Sequence, residues 1–277
     1  MNSTVKRSIF GVLFLAVMLG GLLFHEIPFV LLFSFICYVM LDEFYRMTMG
    51  SSYKGLQATA KVMGIVLFVS ANSYFFASMH LGTMVSIWII AILALMAQSI
   101  FLKDHKDFLK TGYIYAGLLY IGLPLALSNA VVSVTGEYSG LLMVSFFCII
   151  WASDVGAYCF GMLFGQKIWP AKMCPAISPK KSWAGFIGGL LMAMLAGAIL
   201  HWTVLWSFPM VHCLAVSAIM HVLGVLGDLF ESLWKRATGI KDSGNIIPGH
   251  GGLMDRFDSA LFAIPAGFIY LLTLGLI

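Results

Sequence analysis

The sequence predicts an all-α polytopic membrane protein, a bundle of about nine transmembrane helices with a polar cavity at its cytoplasmic side. Three observations carry that expectation. Of 277 residues, 61% are hydrophobic and only 10% charged, whereas a soluble domain carries about 25% charged residues. Apolar runs close to the roughly 20 residues needed to cross about 30 Å of hydrocarbon follow one another with few interruptions. All sixteen Lys and Arg residues fall in or beside alternate connections between those runs. Because the runs are continuous rather than alternating, helices are selected over a β-barrel.

The predicted spans are residues 8–24, 28–46, 59–78, 82–102, 112–132, 138–164, 183–206, 208–227 and 259–277. Lys6 and Arg7 precede the first in the charge order of a signal sequence, but no A-x-A site follows, so it reads as an uncleaved first span. Connections such as His80-Leu81 and Ser207-Phe208-Pro209 are short enough to require antiparallel neighbours. If the spans alternate, the N-terminal segment and the second, fourth, sixth and eighth connections share one side, and the opposite connections carry only Glu26 and Glu137 as charges. The positive-inside rule places the basic side in the cytoplasm and the C-terminus on the far side. No repeat or linker appears, so 1–277 reads as a single integral membrane domain, with N-terminal spans in 1–140 and the motif-bearing half in 141–277. Five scattered cysteines, with no C-x-x-C pair, indicate neither a zinc site nor a disulfide framework.

The informative polar residues lie in the second half. Asp154 sits well inside the sixth run, where a bare carboxylate costs about 2.5–3.5 kcal/mol and is functional by default. Gly156, Gly161 and Gly165 follow it, which signals either helix packing or a break in the helix. The sixth connection holds Lys167, Lys172, Lys180 and Lys181 with no acidic residue. Residues 227–259 are denser still, with five of the twelve acidic residues and four of the sixteen cations. Asp228, Glu231 and Ser232 lie at i, i+3 and i+4 and share one helix face, which Lys235 extends. Around Pro248-Gly249-His250-Gly251-Gly252 the backbone tolerates positive φ, and successive N–H groups in such a turn form an anion-binding nest. Carboxylates, cations and a glycine nest between two spans suit a polyanion held with a divalent metal; hard oxygen ligands favour Mg²⁺ over zinc.

At these residues the chain resembles the phosphatidate cytidylyltransferases (CDP-diacylglycerol synthases). The resemblance is carried by Ser232-x2-Lys235-Arg236-x4-Lys241-Asp242-x-Gly244-x3-Pro248-Gly249-His250-Gly251-Gly252-x2-Asp255-Arg256-x-Asp258, with Gly227-Asp228-x2-Glu231-Ser232, Ser178-Pro179-Lys180-Lys181-Ser182-x2-Gly185 and Asp154-x2-Ala157-Tyr158 upstream. It covers residues 154–259; residues 1–140 match only as a series of spans.

The resemblance implies transfer of CMP from CTP to phosphatidic acid, giving CDP-diacylglycerol and pyrophosphate, in a polar catalytic cavity that faces the cytoplasm from a bacterial inner (plasma) membrane. It implies Asp228 and Asp255 as first metal ligands, Asp258 and Glu231 next, and Asp154 completing the acidic cluster around one or two Mg²⁺ ions. Lys235, Arg236, Lys241 and Arg256, with Asp242 beside them, would serve the phosphates. Ser178, Lys180, Lys181, Ser182, Ser232, His250, Gly251 and Gly252 would add substrate contacts. The partners expected are CTP, phosphatidic acid and membrane lipids, with a homodimer left open and no nucleic acid. Two alternatives stand beside this reading: a CTP-dependent polyprenol or dolichol-type lipid kinase, and an ion-coupled transporter using Asp154 and the late carboxylates.

Overall fold

The computed structural model describes residues 3–102, 104–166, 168–203, 205–246 and 251–277. The helices are α1 (Ser3–Leu23), α2 (Glu26–Met49), α3 (Lys54–Phe76), α4 (Leu81–Ser99), α5 (Gly112–Gly117), α6 (Leu123–Val132), α7 (Leu141–Leu163), α8 (Trp183–Trp202), α9 (Met210–Ala237), α10 (Met254–Phe257) and α11 (Ala260–Thr273). A 3₁₀ turn (His105–Thr111) leads into α5, and a π-turn (Leu118–Gly122) joins α5 to α6, so that Lys106–Val132 is one continuous span. Pro124 explains the wide turn: it has no N–H for the carbonyl one turn earlier, and its ring would crowd that carbonyl. Among the described residues seven helices are long and apolar enough to cross a membrane. They match the second to eighth predicted spans. The chain is an all-α polytopic membrane protein.

The eighth span and the sixth connection carry structure beyond the apolar pattern. The helix of the eighth span continues past 227, as the shared face of Asp228, Glu231, Ser232 and Lys235 implies: α9 runs to Ala237 and is 28 residues long. At 1.5 Å per residue it is about 42 Å long, against about 30 Å of hydrocarbon, so roughly its last two turns reach past the apolar core. Asp228, Glu231, Ser232, Lys235 and Arg236 therefore all stand on a regular helix, which Gly239 ends at φ +74°. The sixth connection is a hairpin rather than an open loop. Its strands β1 (Lys172–Cys174) and β2 (Ser178–Ser182) pair antiparallel, Lys172 opposite Ser182 and Cys174 opposite Ser178.

The chain folds as two compact units. The first comprises Met1–Gly140 and Asp242–Arg256. Its core is aromatic: Phe29 lies 4.6 Å from Phe33 and 5.7 Å from Phe68, ring centre to ring centre. Tyr45 donates to the Ile114 carbonyl at 3.0 Å, tying α2 to α5. The second unit comprises Leu141–Lys241 and Phe257–Ile277. Here α7 and α8 approach through glycines. A Cβ at Gly156 would lie 2.6 Å from the Gly188 carbonyl oxygen, and one at Gly185 would lie 2.9 Å from that of Ala157. The glycines after Asp154 thus serve packing; α7 runs unbroken through Gly156 and Gly161.

Candidate active site

In the second unit, α9 and the chain entering α11 bring three carboxylates together. One ligand oxygen from each of Asp228, Glu231 and Asp258 lies within 4.8 Å of the others. The spacing on α9 puts Asp228 and Glu231 one turn apart on the same face. Gly227 lets the partner segment come close, since a Cβ there would lie 2.5 Å from the Asp258 carbonyl oxygen. Two cations answer this charge. Lys181 meets Asp228 (Nζ to Oδ2 2.7 Å) and also donates to the Val225 carbonyl at 3.3 Å. Lys235 meets Glu231 at 2.6 Å across one helical turn, and both are buried. Ser232 donates to Asp228 Oδ1 over a long 3.4 Å.

Among the described residues, the ion pairs at this cluster set two bases against three acids, an excess of negative charge. Withdrawal from solvent, and then the neighbouring charges of Asp228 and Glu231, push the Asp258 carboxyl well above the ordinary carboxylate range. A divalent cation would relieve that cost, and an all-oxygen donor set fits a hard ion such as Mg²⁺.

Beside this cluster lies a cavity of about 210 Å³. Asp154 and Tyr158 on α7, Lys180, Lys181 and Ser182 at the end of β2, Asp228 on α9 and Ser259 line it, among apolar side chains. The hairpin places the lysines. Ser182 caps α8 by accepting from Gly185 N at 3.1 Å, which fixes the strand end against the helix. Arg236 is exposed and braces the hairpin, donating to the carbonyls of Ile177 (3.3 Å) and Ile240 (3.1 Å). Ser178 sits in β2 opposite Cys174, and Lys241 is exposed beyond α9. On the α7–α9 side, Ser153 and His221 form a buried pair at 2.7 Å that the sequence reading passes over.

The remaining motif residues belong to the first unit. Asp255 accepts from Ser243 N (3.0 Å), Ser243 Oγ (3.1 Å) and Gly252 N (2.8 Å), so the Gly252 amide of the expected nest is occupied from within. The amides of Leu253 and Met254 go to Glu43 on α2, at 2.9 and 2.8 Å. Gly251 takes φ +82°, Asp242 and Arg256 are exposed, and His250 lies outside the described residues. Glu43 is the principal residue that sequence reasoning missed. Its signal was present, an acid inside an apolar run, but the adjacent Asp42 and Arg46 resembled the ordinary polar end of a span. Asp42 does play that part, pairing with Arg46 at 2.8 Å and Lys61 at 2.7 Å.

Known proteins resemble this chain along most of its length. The phosphatidate cytidylyltransferase of Bacillus subtilis (strain 168) is 32% identical over 268 residues, 96% of this chain and 96% of that protein. The enzyme of the same name from Staphylococcus saprophyticus is 32% identical over 95% of each chain. The one from Staphylococcus aureus (strain COL) is 36% identical over 172 residues, 61% of this chain and 62% of that protein. The model of the Cytidylyltransferase family matches residues 5–274, a stretch that takes in both units, the carboxylate cluster and the lysine hairpin, and the chain belongs to that family.

Proposed function

We propose that this chain transfers the cytidylyl group of CTP to phosphatidic acid, giving CDP-diacylglycerol and pyrophosphate. The observation that supports it most directly is the cavity of the second unit, where Lys180 and Lys181 stand against Asp154 and Asp228 within a membrane-spanning bundle. Such a wall suits a polyanion approached by a lipid. The phosphate oxygen of phosphatidic acid forms a bond to the α-phosphorus of CTP as the bond to the β-phosphate oxygen breaks, and pyrophosphate leaves. Lys180 and Lys181 neutralise phosphate charge, and Lys181 is held ready by its contacts to Asp228 and Val225. Asp228, Glu231 and Asp258, with Asp154 nearby, would hold Mg²⁺, which when bound supplies charge neutralisation at the transferring phosphoryl group. Lys235 orients Glu231 through their 2.6 Å contact. Ser178, Ser182, Ser232, Arg236 and Lys241, and in the first unit Asp242, Asp255, Arg256, Gly251 and Gly252, are assigned to the same reaction on the strength of the motif. His250 is assigned on that ground too.

The deciding assay uses detergent-purified protein with CTP labelled at the α-phosphate. Label is expected in CDP-diacylglycerol, with one pyrophosphate per turnover, only when phosphatidic acid and Mg²⁺ are both present. Conversion of CTP to CDP with phosphorylation of a lipid alcohol would overturn the reading in favour of a lipid kinase.

The distribution of the sixteen cations supports a site on the cytoplasmic side. Single Asp104→Cys and Glu137→Cys changes in a cysteine-free background test this. In intact cells an impermeant maleimide is expected to label position 137 and spare position 104. Equal labelling would refute the topology.

A further inference from the structure

We propose that Glu43, on α2, is a positioning residue for the loop that carries Asp255 and Arg256, and that two motif glycines of this loop are side-chain-free because they enclose its carboxylate. Glu43 is 1% exposed. Its Oε1 accepts from Leu253 N at 2.9 Å; its Oε2 accepts from Met254 N at 2.8 Å and from Ser243 Oγ at 3.0 Å. Among the described residues no Lys or Arg pairs with it, whereas the adjacent Asp42 takes both Arg46 and Lys61. Among the described residues, the charge of Glu43 is therefore met by the loop alone.

The loop is shaped around that charge. A Cβ at Gly252 would lie 2.6 Å from Glu43 Oε2, and one at Gly244 would run into Oε1. Ser243 Oγ lies within bonding distance of both Glu43 Oε2 and Asp255 Oδ2, so its single proton serves one or the other, and Asp255 also holds the amides of Ser243 and Gly252. Glu43 thus fixes the residues immediately before Asp255 through two backbone amides, and fixes Ser243, the residue that anchors Asp255. Its role is to set the backbone from which Asp255 and Arg256 project, without touching substrate. The motif glycines Gly244 and Gly252 thereby acquire a partner in the half of the chain where the motif itself is silent.

The chemistry gives a sharp variant. Glutamine has the size of glutamate, but it replaces one acceptor oxygen by an NH₂ group. Whichever way the amide turns, NH₂ faces a backbone N–H of Leu253 or Met254, and a backbone N–H cannot rotate away. Aspartate keeps both acceptors and the charge but is one methylene shorter.

Hydrogen–deuterium exchange of the purified protein without substrate reads the loop directly, and this arm does not depend on the assigned reaction. In Glu43→Gln, exchange at Leu253 and Met254 is expected to rise at least about tenfold, with α2 and α3 protected as in the parent. Turnover of CTP with phosphatidic acid is expected to show kcat down at least about tenfold and KM for CTP changed less than about threefold. Glu43→Asp should fall between parent and Glu43→Gln in both readouts, and it decides the matter alone if Glu43→Gln is not isolated intact. Unchanged protection at Leu253 and Met254 would overturn the proposal. So would loss of protection spread through α2 and α3, or kcat within about threefold of the parent. Absence of cytidylyl transfer in the parent chain itself would sink the proposed reaction and leave the exchange result to judge Glu43.

Discussion

An Asp228→Asn variant is expected to lose roughly a thousandfold in kcat/KM for CTP, about 4 kcal/mol of transition-state stabilisation, while unfolding no earlier than the parent chain in the presence of chelator. The two halves of that expectation have different causes. Asp228 is one of three carboxylates whose oxygens lie within 4.8 Å of one another, answered by two lysines. Without a cation the group repels itself, and Asn, of the same shape, removes one like charge while still accepting from Lys181. The metal-free protein should therefore be no less stable. With Mg²⁺ the sign reverses, because a hard cation held by few protein groups loses a charged ligand. A ligand at ten times its Kd raises stability by about 1.4 kcal/mol. The parent chain should accordingly show an upward shift in Tm on Mg²⁺ addition that Asp228→Asn lacks. Activity within about tenfold of the parent at limiting Mg²⁺, or a parent Tm indifferent to Mg²⁺, would remove the cluster from the metal site.

The sequence made the helical membrane fold and the acidic face of α9 legible for the same reason: both depend on local pattern. Apolar runs mark spans because the bilayer leaves the backbone no partner but itself, and the i, i+3, i+4 spacing of Asp228, Glu231 and Ser232 needs only a helix. The part of α9 past residue 227 was legible only in that spacing, because hydropathy stops at the first charge. The helix continues there, with buried Glu231 and Lys235 paired across one turn. The hairpin at residues 172–182 was hidden for another reason. Its strands hold lysines and a proline rather than the β-branched alternation that announces a half-buried strand. Their pairing is visible only in the register of Lys172 with Ser182. Glu43 was hidden by distance along the chain. Its donors lie about two hundred residues away, and an acid in a span does not name its partner.

A double Lys180→Gln, Lys181→Gln variant is expected to lose about a hundredfold in kcat/KM for CTP, close to 2.7 kcal/mol. The competing account treats this pair as a juxtamembrane anchor for anionic headgroups, worth about 1 kcal/mol per cation at a lipid surface. Their surroundings argue for the larger effect. Both line the cavity that Asp154 and Asp228 also line, and Lys181 is fixed there by a 2.7 Å contact to Asp228 and a second bond to the Val225 carbonyl. A headgroup anchor gains nothing from being tied to a carboxylate, whereas a phosphate contact gains a defined position before substrate arrives. The two lysines should differ. Lys181→Gln strips the carboxylate cluster of a cation, so in chelator it should lower Tm, opposite in sign to any change in Asp228→Asn. Lys180 is exposed, and Lys180→Gln should leave Tm unchanged and weaken CTP use alone. Adding Asp228→Asn to Lys181→Gln should restore the chelator Tm toward the parent, because the charge that Lys181 balanced is then gone. Kinetics in mixed micelles at constant anionic lipid, together with these four unfolding curves, separate the accounts. A kinetic loss below about fivefold, near 1 kcal/mol, with no Tm difference between Lys180→Gln and Lys181→Gln, would return the pair to the headgroup anchor.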